Sequence, residues 1–196
     1  MKILLLDNHD SFVYNVAALL ADCGLSAADI HVLRGDRLPQ QPLRHYSGLI
    51  LSPGPGLPEE APGLLSLIAQ GIGQLPILGI CLGHQAIAMH FGARLRCRDL
   101  PRHGHTSGLT ILDPTDPLLQ GVAHADQCRV GRYHSWEIDP DTLRAPLRVS
   151  SIAADDGAIM SVAHTELPIH GLQFHPESII TRCGHRIITN FLSLCR

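Results

Sequence analysis

Charge is scarce in this chain of 196 residues. Asp, Glu, Lys and Arg make up 17% of it, and 15 basic against 18 acidic side chains leave a formal charge of −3. No long basic run occurs, which argues against nucleic acid as the main partner. Long apolar runs are missing as well: a membrane-spanning helix needs roughly 18 apolar residues, and no stretch approaches that. The amino-terminal MKILLLDNHD has four consecutive apolar residues before Asp7, too few for the core of a secretory leader. There is no C-x-x-C pair, internal repeat, low-complexity segment or obvious linker. The six cysteines (Cys23, Cys81, Cys97, Cys128, Cys183 and Cys195) are widely scattered. That usage predicts free thiols in a reducing compartment, and a soluble cytoplasmic protein. What is present is an ordinary apolar content of 45% and a length that suits one domain, residues 1–196, with a substantial core. Histidine is abundant, at 13 residues, so net charge changes noticeably between pH 7 and about 5.5.

Apolar patterning predicts strands and helices in alternation over the first half. Lys2 to Leu6 reads as a buried strand ending at an Asp. Asp10 or Ser11 is placed to cap a helix over FVYNVAALLADCG, in which Phe12, Val16, Leu19 and Leu20 fall at helical spacing and Gly24 is the stop. Further strands are expected at Ile30 to Leu33 and Gly48 to Leu51. SPGPGLPEEAPG is too rich in glycine and proline for regular structure. A helix over Gly63 to Gly71, the strand PILGI, and CLGHQAIAMHFG as turn plus helix follow. This order predicts an α/β fold with a mostly parallel sheet covered by helices on both faces. Past Ala93, the short runs GLTIL, LRVSSIA, AIMSVAH and IHGLQF predict hairpins or a mixed sheet edge. A helix over His185 to Leu194 closes the pattern, giving one domain with an antiparallel extension.

Gly79-Ile-Cys81-Leu-Gly83 has the form G-x-nucleophile-x-G. Such a residue sits on a sharp strand-to-helix turn, where side chains two before and two after it would clash. The following helix aims its positive end at the sulfur, which favours a thiolate, and the N–H of Leu82 can face a developing oxyanion. By itself the motif fits a buried cysteine beside glycines needed for close helix–sheet packing equally well. A thiol nucleophile needs a base, and the base needs an orienting group. His175-Pro-Glu177 offers both, since residues two apart on an extended segment point to one side and Pro176 stiffens the pair. Elbow and pair together describe a Cys-His-Glu triad.

Five blocks, LLDNHDSFVYN (5–15), SPGPGLPEE (52–60), PILGICLGHQ (76–85), GRYHSW (131–136) and GLQFHPESI (171–179), make the chain resemble the class I, triad-type glutamine amidotransferases. Their domain is flavodoxin-like. Within that class it looks like the small subunit, component II, of anthranilate synthase or of aminodeoxychorismate (para-aminobenzoate) synthase. The resemblance implies hydrolysis of L-glutamine to glutamate and ammonia through a γ-glutamyl thioester on Cys81. His175 would be the base and then the acid, and Glu177 its orienting carboxylate. The N–H groups of Gly56 and Leu82 would form the oxyanion hole. Gly54, Pro55, Gly56, Gln85, Ser135 and Trp136 would hold the substrate, and Tyr133 and His134 would be core or interface residues. No cofactor and no metal are implied. The implied partner is a separate chorismate-binding synthase subunit, component I, which receives the ammonia for tryptophan or folate biosynthesis. The ending GHRIITNFL looks closer to the para-aminobenzoate type.

The chain departs from the family's pattern at His105, where lysine is usual, at Trp136, where leucine is more common, and at Pro62, where glycine is common. None touches the triad. Other readings explain part of the pattern. Alternating His103/His105 and His175/Glu177 suit a metal site but leave the elbow and SPGPG unexplained. A γ-glutamyl hydrolase or cysteine peptidase on a similar fold would not need DNHDSF and RYHS. A non-catalytic binding subunit would not need an intact triad.

Overall fold

The computed structural model describes residues 1–37, 39, 41–122 and 125–195. The first four strands, β1 (Ile3–Asp7), β2 (Ile30–Arg34), β3 (Gly48–Leu51) and β4 (Ile77–Ile80), run parallel with β9 (Ile169–Leu172) in the order β2-β1-β3-β4-β9. Beyond β9 the same sheet continues antiparallel through β8 (Ile159–His164), β7 (Leu147–Ala153), β5 (Leu95–Ile111) and β6 (Ala125–Ile138).

Continuous apolar runs mark β1, β3 and β4 because both faces of these strands are buried. Ile3 and Leu5 of β1 join one core cluster with Val16 and Leu20 of α1 (Val13–Asp22) and Phe191 of α4 (Gly184–Leu194). Leu4 and Leu6 point the other way, into a cluster with Leu67 and Ile68 of α2 (Leu64–Gly71) and Ala86 and Ile87 of α3 (Leu82–His90). Each of these leucines is essentially inaccessible, a burial worth about 1.5–3 kcal/mol per side chain. The parallel strands share one direction, so the loops after β1, β3, β4 and β9 emerge together at their carboxyl ends, where α/β folds place their sites.

Three sequence expectations change. First, Cys128 and Cys183 are not free thiols. They form a disulfide, Cα–Cα 6.1 Å, between residues 55 apart in sequence that meet only because α4 docks near β6; Cys23, Cys81, Cys97 and Cys195 are free. Second, α1 starts later than Asp10 or Ser11 would set it. Its N-cap is Phe12, without a side-chain cap, and the Asp10 carboxylate instead accepts from the Phe12 N–H at 2.9 Å. Third, GLTIL is only the end of a 17-residue strand. Pro101 and Gly104 disguise it, and they fall at register shifts between Cys97 and Arg102 and between His103 and His105, where bulges tolerate both residues. Among the described residues no helix is long and apolar enough to cross a membrane.

Candidate active site

Cys81 stands between β4 and α3 with φ 51° and ψ −98°. Only one other described non-glycine residue, His9, has a positive φ. Such a conformation persists only where its surroundings dictate it, and here glycines do. A Cβ on Gly79 would lie 2.4 Å from the Gly83 carbonyl, and one on Gly83 would lie 2.5 Å from the Leu51 carbonyl. The helix is thereby seated on the sheet, and the Cys81 N–H donates to the Leu172 carbonyl of neighbouring β9 at 2.7 Å. Leu82 opens α3, so its N–H belongs to the first turn, which has no helical carbonyl to bond.

The chain leaves β9 through Gln173 and Phe174 to His175. Backbone holds the imidazole in place: the His175 N–H donates to Gly131 O at 3.0 Å, and Thr181 Oγ1 donates to His175 O at 2.6 Å. Nδ1 lies 2.6 Å from Glu177 Oε1, and both side chains are buried. A carboxylate can only accept, so Nδ1 carries the proton and Nε2 is turned to Cys81. Burial alone would lower the His175 pKa; contact with the Cys81 sulfur and with Glu177 outweighs it and pushes the value up to about 10. That contact is loose, since Nε2 makes no hydrogen bond of full geometry. Tyr133 and Phe12 pack their rings edgewise on the imidazole, with centroids at 5.0 and 5.7 Å.

A cavity of about 280 Å³ opens over Cys81, lined by Gly54, Pro55, Gly56, Gln85, His103, Tyr133, His134, Ser135 and Trp136. All the residues expected to hold substrate therefore meet at one wall. Gly56 needs its left-handed φ of 74°, and a Cβ there would overlap the Glu60 carboxylate at 2.5 Å. That carboxylate accepts from the Leu57 N–H at 2.9 Å and clamps the turn. Asn8 braces the other end, its side-chain amide donating to Ser52 O at 2.9 Å. The amide nitrogen of Gln85 donates to Trp136 O at 2.8 Å and to Gln173 Oε1 at 3.2 Å, so the group it has left for the cavity is its carbonyl oxygen. Cys81 also lines a second cavity of about 490 Å³, on the side of His175, Phe12 and Tyr133.

Sequence reasoning gave Asn8, Gln173 and Arg132 no role, read Phe12 only as part of a helix face, and kept Tyr133 out of the substrate shell as a core or interface residue. Arg132 is completely buried. Its guanidinium meets both carboxylate oxygens of Asp156 at 3.0 Å and Ser107 Oγ at 3.0 Å, while its Nε donates to His134 Nε2 at 3.1 Å. For Asp156, burial would raise the pKa, but the Arg132 guanidinium beside it holds the carboxyl well below the usual range. His134 is pushed down to about 3, first by burial and then by the Arg132 charge, and is neutral at pH 7. The two histidines that suggested a metal diverge: His103 faces the cavity, and His105 bonds Asp155 at 2.9 Å. Among the described residues, no group of three or more His, Cys, Asp or Glu side chains is placed to share a metal ion.

A thiol, an imidazole and a carboxylate in series beside a small cavity can open a carboxamide by thiol attack. Comparison with known proteins agrees. The sequence profile of the family described as "Glutamine amidotransferase class-I" matches residues 4–195. Anthranilate synthase component 2 of Mycobacterium tuberculosis is 44% identical over 200 residues, covering 100% of this chain and 83% of that protein. Aminodeoxychorismate synthase of Streptomyces griseus is 40% identical over 198 residues, 99% of this chain and 26% of that protein. In three dimensions, a putative GMP synthase component from Thermoplasma acidophilum superposes with a TM-score of 0.85 at 27% identity, covering 100% of this chain and 94% of that one. The chain belongs to the class I glutamine amidotransferase family.

Proposed function

We propose that residues 1–196 form one glutaminase unit that supplies ammonia to a chorismate-using synthase subunit. The observation that carries this reading is the forced positive φ of Cys81, which presents its sulfur to the His175–Glu177 pair at the wall of the cavity. In this reading His175 Nε2 already holds the proton given up by Cys81, and the Cys81 thiolate attacks the side-chain carboxamide of L-glutamine. The oxyanion is held by the N–H groups of Gly56 and Leu82. His175 then gives its proton to departing ammonia, and water hydrolyses the thioester with His175 as base. Glu177 keeps the proton on Nδ1 throughout. Gln85 Oε1 and the backbone of Ser135 and Trp136 bind the α-amino and carboxylate groups, with Gly54 and Pro55 closing the pocket. Ammonia leaves by the second cavity toward the partner, component I, in the cytoplasm.

Anthranilate synthase is the partner favoured by the relatives named component 2, such as the one at 44% identity. Aminodeoxychorismate synthase is the second reading, favoured by the 40% match that takes in 99% of this chain. The test is reconstitution of the chain with each synthase subunit from its own source, followed by identification of the product from chorismate and glutamine. Cys81→Ser is expected to abolish glutamine-dependent synthesis and to spare ammonia-dependent synthesis. Product formation from glutamine by Cys81→Ser, or from neither partner by the wild type, would overturn the proposal.

A further inference from the structure

We propose that Gln173 is a positioning residue that donates a hydrogen bond to the Cys81 sulfur, in an orientation imposed on it from the backbone carbonyl of Trp136. The inference deepens the glutaminase reading above and rests on it for its catalytic meaning, but the geometry stands independently. Gln173 is fully buried and outside the wall of the cavity over Cys81, so it is not among the groups that touch substrate. Its side-chain nitrogen lies 3.6 Å from Cys81 Sγ, within reach for a sulfur acceptor. Gln173 and His175 are two apart on the extension of β9 and point to the same side. The sulfur therefore faces two donors from one segment.

The direction of the Gln173 amide follows from its neighbours. The Trp136 carbonyl can only accept, so Gln85 must present nitrogen to it at 2.8 Å. The second hydrogen of that nitrogen goes to Gln173 Oε1 at 3.2 Å. With its oxygen committed, Gln173 has only N–H to show the sulfur. Turned over, it would set two nitrogens against each other and aim an oxygen at the nucleophile. The far side of the same carbonyl is equally determined. Arg132 Nε can only donate, so His134 Nε2 accepts at 3.1 Å and His134 Nδ1 carries the hydrogen that meets Trp136 O at 2.9 Å. Every donor and acceptor choice from Arg132 to Cys81 is thus consistent with every other, and no member of the chain is free to reverse.

A donor on sulfur is strongest while the sulfur is charged and weakest once a neutral thioester has formed. Gln173 accordingly favours the thiolate over the thiol before attack, and stabilises the charge that returns to the sulfur when the thioester is hydrolysed. Trp136 also lies in the segment proposed to grip the glutamine backbone groups, so a bound substrate acts on the sulfur through two intervening amides.

Two substitutions test this. Gln173→Met keeps the bulk and removes the donor; Gln173→Glu still accepts from Gln85 but offers the sulfur no N–H at neutral pH. Each is expected to lower kcat for glutamine hydrolysis by about 10–100-fold, the range for a hydrogen bond to a charged group, while KM stays within about twofold. Alkylation of Cys81 by iodoacetamide, read by mass spectrometry on the Cys81 peptide, is expected to need a higher pH in both variants. Wild-type pH dependence, or a raised KM at unchanged kcat, would overturn the assignment. The unaltered protein offers a check independent of how the variants fold: the side-chain amide resonances of Gln173 should shift when Cys81 is alkylated, and unmoved resonances would refute the bond. Alkylation needs no glutamine, so a wild type that fails to hydrolyse glutamine sinks the proposed function without deciding this point.

Discussion

Alanine at Gly83 would show how closely α3 must sit on the sheet for the chemistry to work. A methyl there would begin 2.5 Å from the Leu51 carbonyl oxygen and 2.7 Å from the Leu51 Cβ, where ordinary contact starts at 3.4 Å. Leu51 is fixed in β3 between β1 and β4, so the helix must give way, by about 0.9 Å (3.4 − 2.5). Cys81 heads that helix, whereas His175 follows the neighbouring strand, so the displacement appears between sulfur and imidazole. A misplacement of about 1 Å costs about 100-fold in rate. Overpacking of this kind costs about 1–3 kcal/mol in stability, and each kcal/mol lowers Tm by about 2–4 °C in a domain of this size. Glutamate release and thermal unfolding measure the two effects side by side. Gly92→Ala is the control: a methyl there meets nothing within 4 Å, and only its φ of 89° is strained, worth about 1–2 kcal/mol. Both variants are expected to melt early, and only Gly83→Ala to lose kcat. Wild-type turnover by Gly83→Ala would refute the claim that the elbow requires this seating.

Other outcomes follow from the charged groups. The folded protein keeps the His175 proton to about pH 10, while the unfolded chain releases it near 6.5. The stabilisation is therefore full below about pH 6.5 and disappears as pH rises toward 10; Tm should fall across that window more steeply in wild type than in His175→Asn, and parallel curves would contradict the ion-pair assignment. Asp156→Asn leaves the buried Arg132 guanidinium without its main counter-charge. Breaking such a pair costs about 3 kcal/mol, or a Tm lower by about 6–12 °C, and an unchanged Tm would show that Ser107 and the Asp155 carboxylate, 3.6 Å from the Arg132 guanidinium, suffice. Asp156 is held below its ordinary range, so its contribution is present above about pH 4 and lost as pH falls below that. An acid-melting midpoint that is the same with and without Asp156→Asn would argue against it.

The parallel half of the fold was legible because burial on both faces writes continuous apolar runs, and glycine and proline punctuate them. The elbow was legible for a related reason: only glycine fits at positions 79 and 83. The antiparallel half was harder to read, since β5 carries Pro101 and Gly104 at its bulges and pairs with residues up to about forty positions away. Within the site, Cys81, His175 and Glu177 announced themselves by residue type. Gln173 and Asn8 did not, although both lie inside the motif blocks, because an amide acquires a role only from its neighbours. Arg132 reads as a surface residue until Asp156 is brought beside it. Tyr133 was expected away from the substrate shell, yet its ring lies against His175 and faces the cavity. Cys128 and Cys183 carried no local signature, since their meeting depends on the docking of α4.

The place of β9 in the sheet has a consequence for how the molecule matures. β4 and β8 do not pair with each other; β9 lies between them and is the last strand in the chain. The parallel and antiparallel halves are one sheet only through four residues, Ile169–Leu172. Those residues also pin the Cys81 N–H and lead directly into Gln173 and His175. Folding that proceeds from the amino terminus during synthesis brings this strand to the sheet after all the others, and with it both the Leu172 carbonyl that holds the Cys81 N–H and the His175 imidazole. The Cys81 sulfur and the His175 imidazole thus meet only when the two halves of the sheet close on β9.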